Sequence, residues 1–189
     1  MGGKNYIDYI SKDISEWLCV VLLLVLCVMA IVIFSRKGVI RIQLRRLLKV
    51  MFVEYLVLLF CSTVILRDES PHAGVKYMLF AGYLNGSMFV LKDALMNMAI
   101  FIPIGFCSSV FLRYPKWLKI LLLSISLSCT IELSQFLLSR GWCDTNDVMN
   151  NSIGGLIGYW VYLWWKKTLQ TSLHREAKNA TKDPLNPPA

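Results

Sequence analysis

Charged residues are scarce in this sequence, and histidine is almost absent. Only 17% of the 189 residues are Asp, Glu, Lys or Arg, against 56% hydrophobic residues, and the mean hydropathy is +0.55. A soluble domain with this ratio would expose far too much apolar surface. There are two histidines, and of the six cysteines only Cys143 is predicted to lie outside an apolar block, so neither a disulfide framework nor a metal-ligand spacing is present. We therefore expect no cofactor and no resident metal.

The apolar residues come in long blocks that predict membrane spans. Residues 17–34 contain no charge, and at 1.5 Å per residue they would span roughly 27 Å, about one hydrocarbon core. Because lipid cannot satisfy backbone polar groups, such blocks must be helices. Four further blocks follow, at residues 47–66, 93–112, 117–138 and 147–165. The prediction is an all-α, polytopic membrane bundle of five transmembrane helices, with four spans plus one re-entrant or buried segment as the alternative.

Basic residues are distributed unevenly between the connections. Fourteen of the twenty Lys and Arg lie near the connections after the first, third and fifth blocks, and six lie near the others. The positive-inside rule then places the N-terminus outside and the C-terminus in the cytoplasm. Cytoplasmic Lys and Arg beside anionic lipid headgroups also account for the net charge of +8. We therefore expect membrane lipids as partners and no nucleic acid.

This topology divides the chain into four parts. Residues 1–16 form an extracytoplasmic N-terminus, and residues 17–66 form two helices joined by a basic cytoplasmic loop. Residues 67–165 form a core of three helices. Residues 166–189 form a polar cytoplasmic tail rich in proline at its end, which we predict to be disordered.

Polar residues interrupt the later blocks in a regular pattern. Ser124, Ser128, Glu132 and Gln135 are spaced by four, four and three, which places them on one helix face. The ends of three blocks bring seven polar residues to one depth, near the outer surface: Asn97, Glu132, Gln135, Arg140, Asp144, Asp147 and Asn151. A charge within a span costs at least a few kcal/mol, so this set predicts a ligand-binding site. The alternative is that these residues are only helix caps and interface anchors.

The short connection at residues 139–146 carries its own expectations. It makes the fourth and fifth blocks antiparallel neighbours, with Asp144 or Thr145 as the cap of the fifth and Asp147 in its first turn. Arg140 is expected to pair with one of the carboxylates, Glu132, Asp144 or Asp147. Further along, Gly154-x3-Gly158 is a small-x3-small pattern that favours close helix packing.

Two of these patterns resemble signatures of a known family. Asn97 begins the pattern N-x3-F-x-P-x-G, and Glu132 begins E-x2-Q, which is followed from Asp144 by D-x2-D-x3-N-x2-G-G-x2-G. Over residues 92–160 their order and spacing resemble those of the VanZ-like family, in which an arginine corresponding to Arg140 is common. The resemblance makes residues 67–165 a VanZ-like core and implies a multi-pass protein of the bacterial cell membrane. It also implies a link to the cell envelope, since the family's namesake is associated with low-level resistance to the glycopeptide teicoplanin.

Three functions are compatible with the residues. The first is binding or protection, in which the seven-residue site takes a lipid-linked cell-wall precursor or a lipid-tailed glycopeptide at the outer leaflet. The second is a membrane enzyme in which Glu132, Asp144 and Asp147 act as general acid and base, or as oxygen ligands for a divalent cation. The third is a transporter or a scaffold for wall-building partners, and the lack of an internal repeat disfavours an ordinary secondary transporter. We favour binding over catalysis, and both over transport.

Overall fold

The computed structural model describes residues 25, 38–69, 74–76 and 88–182. The described helices are α1 (Gly38–Phe60), which ends in a π-helical turn (Cys61–Ile65), α2 (Met88–Phe111), α3 (Trp117–Leu137) and α4 (Thr145–Lys182). Two short strands, β1 (Gly74–Lys76) and β2 (Trp142–Asp144), form a small sheet that the sequence did not predict. The predicted helical class is confirmed.

Three described helical stretches are long and apolar enough to cross a membrane. They are Ile42–Ile65, Val90–Phe111 and Trp117–Leu137, and they correspond to the second, third and fourth predicted blocks. The first block lies outside the described residues except for Val25, which is helical and fully buried. The fifth block is helical within α4 but is not among these three stretches.

Helix α4 is longer than the sequence analysis predicted. It continues to Lys182, so residues 166–182, which we expected to be disordered, are helical. The prediction of disorder was based on polar composition, which does not exclude a helix. No glycine or proline occurs between Gly158 and Asp183, and most residues there are good helix formers. Pro184 disfavours the helical conformation at the residue before it, which agrees with the end of α4. Residues 183–189 lie outside the described part of the chain.

Helices α2 and α4 pack backbone against backbone. A methyl group at Gly154 would overlap with the carbonyl group of Met98, and one at Gly158 would overlap with the backbone of α2. On the facing helix, a methyl group at Gly105 would overlap with the backbone of Gly155. This contact confirms the packing role predicted for Gly154-x3-Gly158, and it holds the N-terminal half of α4 firmly beside α2.

Helix α1 is joined to α2 by two side-chain hydrogen bonds. Arg45, near the start of α1, donates from Nη2 to the carbonyl oxygen of Val110, near the end of α2, at 2.8 Å. Tyr55 donates from Oη to the carbonyl oxygen of Ile100 at 2.7 Å. The two helices are therefore antiparallel. Their arrangement brings the π-helical turn, the start of α2, the end of α3 and the start of α4 together, and we call this region the polar end of the bundle.

Candidate functional site

At the polar end, the α1–α2 connection is fastened to the α3–α4 connection. Strands β1 and β2 pair in parallel, with Gly74 opposite Trp142 and Lys76 opposite Asp144. A side chain at Gly74 would overlap with the Trp142 ring, and Lys76 places its Nζ 5.4 Å from the centre of that ring. Thr145 adds a hydrogen bond from Oγ1 to the carbonyl oxygen of Lys76 at 3.0 Å. The two connections thus fix each other.

The turn between α3 and β2 has an unusual backbone. Ser139 has a φ of 54° and Gly141 a φ of 151°, a conformation that a residue with a side chain rarely adopts. A methyl group at Gly141 would lie 3.2 Å from Cζ of Arg67. Glycine at this position therefore permits both the turn and the close approach of the Arg67 guanidinium.

The start of α4 is capped as the sequence predicted. Asp144 accepts hydrogen bonds on Oδ1 from the backbone nitrogen of Asn146 at 2.9 Å and from its Nδ2 at 3.0 Å. The backbone nitrogen of Asp144 itself donates to Oε2 of Glu132 at 2.8 Å. Asp147 occupies the first turn of α4, where the helix dipole favours a carboxylate. Asp144 is therefore the N-cap of α4, and Glu132 orients the cap.

Below these connections lies a cavity of about 280 Å³. It is lined by twelve residues from all four helices and the segment after α1: Leu59, Ser62, Thr63, Arg67, Asn97, Ile100, Phe101, Ile131, Glu132, Gln135, Asp147 and Asn151. Glu132 and Gln135 are each 3% exposed and Asn151 is 6% exposed, whereas Arg67 is exposed. We call these three side chains, together with the half-buried Asn97 and Asp147, the floor of the cavity, and Arg67 its rim.

The amide groups of the cavity lining share one arrangement. Each donates from nitrogen to a protein partner: Asn97 to Oδ1 of Asp147 at 2.7 Å, Gln135 to the carbonyl oxygen of Thr63 at 2.9 Å, and Asn151 to Oγ of Ser128 at 2.8 Å. By contrast, Oε1 of Gln135 is buried and has no hydrogen-bond partner in the structure. A buried polar atom without a partner is costly, so this oxygen marks a place where a ligand or water donates.

The charged groups of the lining carry opposite signs. Glu132 and Asp147 contribute carboxyl groups, and Arg67 contributes a guanidinium that interacts electrostatically with both. In their ionised forms these three side chains carry a net charge of −1. The cavity can therefore meet both a cationic and an anionic part of a ligand.

The structure brings five of the seven predicted site residues into this cavity. They are Asn97, Glu132, Gln135, Asp147 and Asn151. The other two, Arg140 and Asp144, do not line it. The helix periodicity of α3 and the cap at the start of α4 were sufficient to place four of them, whereas Asn97 was placed by the start of the third apolar block.

The prediction that Arg140 pairs with Glu132, Asp144 or Asp147 is wrong, because its side chain contacts other groups. Arg140 donates from Nη1 to the carbonyl oxygen of Ile65 at 2.8 Å and to that of Arg67, and its Nη2 lies 3.9 Å from Oε1 of Glu69. The last carbonyl groups of a helix lack partners within the helix, and an arginine beside them satisfies them. The positive φ of Ser139 precedes this residue in the turn. Arg140 thus anchors the end of α1 and holds the backbone of Arg67.

Three polar lining residues were missing from the predicted site: Ser62, Thr63 and Arg67. A signal for them existed in the sequence. Ser62 and Thr63 lie near the C-terminal end of the second apolar block, and Arg67 directly follows that block. This is the depth predicted for the other residues of the site. From the sequence alone, Arg67 is counted only as one of the six Lys and Arg near the less basic connections.

The thiol of Cys143, in β2, also lies at this end of the bundle. Desolvation and, after it, the nearby Glu132 raise the pKa of the Cys143 thiol, so it stays protonated at neutral pH. Within the described part of the chain, no group of three or more His, Cys, Asp or Glu residues is placed to hold a metal ion. What the site offers is a pair of carboxyl groups, amide oxygens and one guanidinium.

Comparison with known proteins places this site in a family. No solved structure matches the chain. Protein VanZ of Enterococcus faecium is 32% identical over 71 residues, which are 38% of this chain and 44% of that protein, so the match spans less than half of the relative. The VanZ/LLP1 family model matches residues 20–166, which include every residue of the cavity lining. Together with the three apolar helices, the match indicates a membrane protein. The chain belongs to the VanZ/LLP1 family.

Proposed function

We propose that this protein binds the polar head of an amphiphile in the cavity at the polar end, at the outer leaflet of a bacterial cell membrane. The observation that carries the proposal is the lining itself. Buried polar groups such as Glu132 and Gln135 share it with apolar side chains such as Leu59 and Phe101. Polar and ionisable groups inside a membrane helix are expensive and mark functional sites by default.

The size of the cavity limits what can enter. Pockets that hold a drug-sized ligand measure roughly 300–1,000 Å³. At about 280 Å³, this cavity has room for a head group but not for a whole lipid or a whole glycopeptide. The acyl or prenyl tail of the ligand would therefore lie outside, along the apolar surface of the helices.

The orientation in the membrane is part of the proposal. Five spans with the N-terminus outside would place the polar end at the outer face, because the connections at that end carry few basic residues. Lipid-linked cell-wall precursors and lipid-tailed glycopeptides such as teicoplanin are amphiphiles found at that face. Membership of the VanZ/LLP1 family supports a role in the cell envelope, and we include teicoplanin protection in the proposal.

An enzyme is the second candidate, and one observation favours it. Glu132 and Asp147 line the same cavity and interact electrostatically, so one could act as a general acid and the other as a general base on a lipid-linked cell-wall precursor. Asp144, the third carboxylate considered from the sequence, caps α4 and does not line the cavity. The enzyme would therefore depend on two carboxyl groups rather than three.

Filling the cavity tests the proposal. Ser62 lines the cavity and is half-buried, so Ser62→Phe should occupy the space that a head group needs. We expect a panel of a lipid-linked precursor, a polyprenyl phosphate and teicoplanin to include a compound that raises the Tm of the purified wild type. A ligand at one hundred times its Kd stabilises by about 2.7 kcal/mol, a clear shift in Tm. The Ser62→Phe protein should lose this shift.

The matched control is Ser126→Phe, the same substitution on the exposed face of α3, away from the cavity. It should respond to the ligand as the wild type does. The proposal is wrong if no compound of the panel shifts the Tm of the wild type, or if Ser62→Phe responds as strongly as the control. Conversion of a panel compound by the wild type, but not by a Glu132→Gln variant, would instead establish the enzyme.

A further inference from the structure

We propose that the head group recognised by this cavity is zwitterionic, with a primary ammonium at the floor and a phosphate at the rim. The inference rests on the proposed binding of an amphiphile and names the chemistry of its head. It follows from the hydrogen-bonding capacity of the floor, the charge of the floor and the position of Arg67.

The floor is rich in acceptors. The side-chain nitrogens of Asn97, Gln135 and Asn151 already donate to protein partners. The oxygen of each amide can then accept a hydrogen bond from another group. Oε1 of Gln135, on a side chain that is 97% buried, has no partner at all. An ammonium has three donors and no acceptor, so it matches such a surface.

The charge of the floor selects among donors. Glu132 and Asp147 lie close enough to interact with each other, and both face the cavity. In their ionised forms the two carboxylates would repel a phosphate at this depth, and a neutral sugar would leave their charge unpaired. An ammonium would pair with both and form charge-assisted hydrogen bonds, which are about twice as strong as neutral ones.

Arg67 supplies the complementary charge at the rim. Its backbone carbonyl group accepts a hydrogen bond from Arg140, and its guanidinium lies close to Gly141. A guanidinium matches the geometry of phosphate oxygens in a two-point contact. A phosphate next to the ammonium would therefore find Arg67 while the ammonium occupies the floor.

Short-chain lipids that differ only in the head group test the inference on the full chain in nanodiscs. The probes are dihexanoyl phosphatidylethanolamine, its N-acetylated form and dihexanoyl phosphatidylglycerol, with free O-phosphoethanolamine as a fourth arm. We expect the ethanolamine lipid to bind at least about tenfold more tightly than the other two lipids, equivalent to 1.4 kcal/mol or more. Binding of O-phosphoethanolamine as tight as that of the lipid would support the same recognition and identify a free phosphoamine as the source.

Two variants locate the two charges. Asp147→Asn keeps an oxygen for Asn97 but removes a negative charge, and it should abolish the preference for the free amine over the N-acetylated lipid. Arg67→Gln should weaken the binding of the ethanolamine lipid and of phosphatidylglycerol to a similar extent, because both lipids contain the phosphate. Asp68→Asn is the matched control, since Asp68 is exposed and adjacent to Arg67 but does not line the cavity. This control should keep the wild-type preference.

The outcomes separate this inference from the proposed function. If the three lipids bind equally, or if Asp147→Asn keeps the preference for the free amine, the zwitterionic recognition is wrong while binding of an amphiphile stands. If none of them binds but a compound of the earlier panel does, the recognition is again wrong and the proposed function survives. If neither set binds, both fall.

Discussion

Replacing Gly154 by leucine is expected to abolish the folded bundle. Even one added carbon atom at this position would overlap with the carbonyl group of Met98, and that group belongs to the backbone of α2 and cannot rotate away. Helices α2 and α4 would have to separate, which would also remove the contact between Gly105 and Gly155. Overpacking of an ordinary core costs about 1–3 kcal/mol, and we expect this rigid backbone contact to exceed that range.

The measurement is the yield of monodisperse protein by size-exclusion chromatography in detergent, followed by the Tm of whatever fraction is folded. The matched control is Ala99→Leu, which places the same side chain on an exposed position of α2. We expect the control to give a yield and a Tm close to those of the wild type. Equal behaviour of the two variants would show that the close approach of α2 and α4 does not hold the fold.

Removing the charge of Glu132 is expected to abolish ligand binding while leaving the fold intact. In Glu132→Gln, an amide oxygen can still accept the hydrogen bond from the backbone nitrogen of Asp144, so the cap of α4 is kept. In Glu132→Ala, that backbone group loses its acceptor. Leaving a fully buried donor unsatisfied costs about 1–3 kcal/mol, and this donor is half-buried, so the alanine variant alone should also lose stability, by an amount toward the lower end of that range.

Two measurements on the same samples separate these effects: the Tm without ligand, and the affinity for the compound that stabilises the wild type. Glu54→Gln is the control, because Glu54 is also an acidic residue in a candidate span but is exposed and does not line the cavity. It should bind the ligand normally. Full binding by Glu132→Gln would assign Glu132 a purely structural role as the acceptor for Asp144.

The predictable part of the site is the part that local rules position. A helix repeats about every 3.6 residues, so Glu132 and Gln135 had to share a face of α3 with Ser128. A connection of a few residues had to place the start of α4 beside the end of α3. Asp147 and Asn151 then fall at the same depth without any further information.

The unpredicted part depends on long-range packing and on single backbone angles. Arg67 and Thr63 belong to the site because α1 ends at the polar end, a position set by contacts such as that between Tyr55 and Ile100. The direction of Arg140 follows a turn with a positive φ at Ser139, which residue type alone did not reveal. Both features require the fold before they can be placed.

The positions of the helices were likewise predictable only in part. Hydropathy located the second, third and fourth apolar blocks because membrane spans need long apolar segments. It could not locate the end of α4, where helix propensity decides and hydropathy is low, nor two strands of three residues each. Five of the seven residues predicted for the site line the cavity, and the guanidinium in its lining belongs to Arg67 rather than to Arg140.

A crystal structure of the full chain grown in a lipidic mesophase, with the stabilising amphiphile present, tests the central claim most directly. The claim predicts electron density for a head group between Gln135 and Arg67, with the tail leaving the cavity along the apolar helix surface. Density for the ligand only elsewhere on the protein, with the cavity of Glu132 and Asp147 holding water alone, would contradict it.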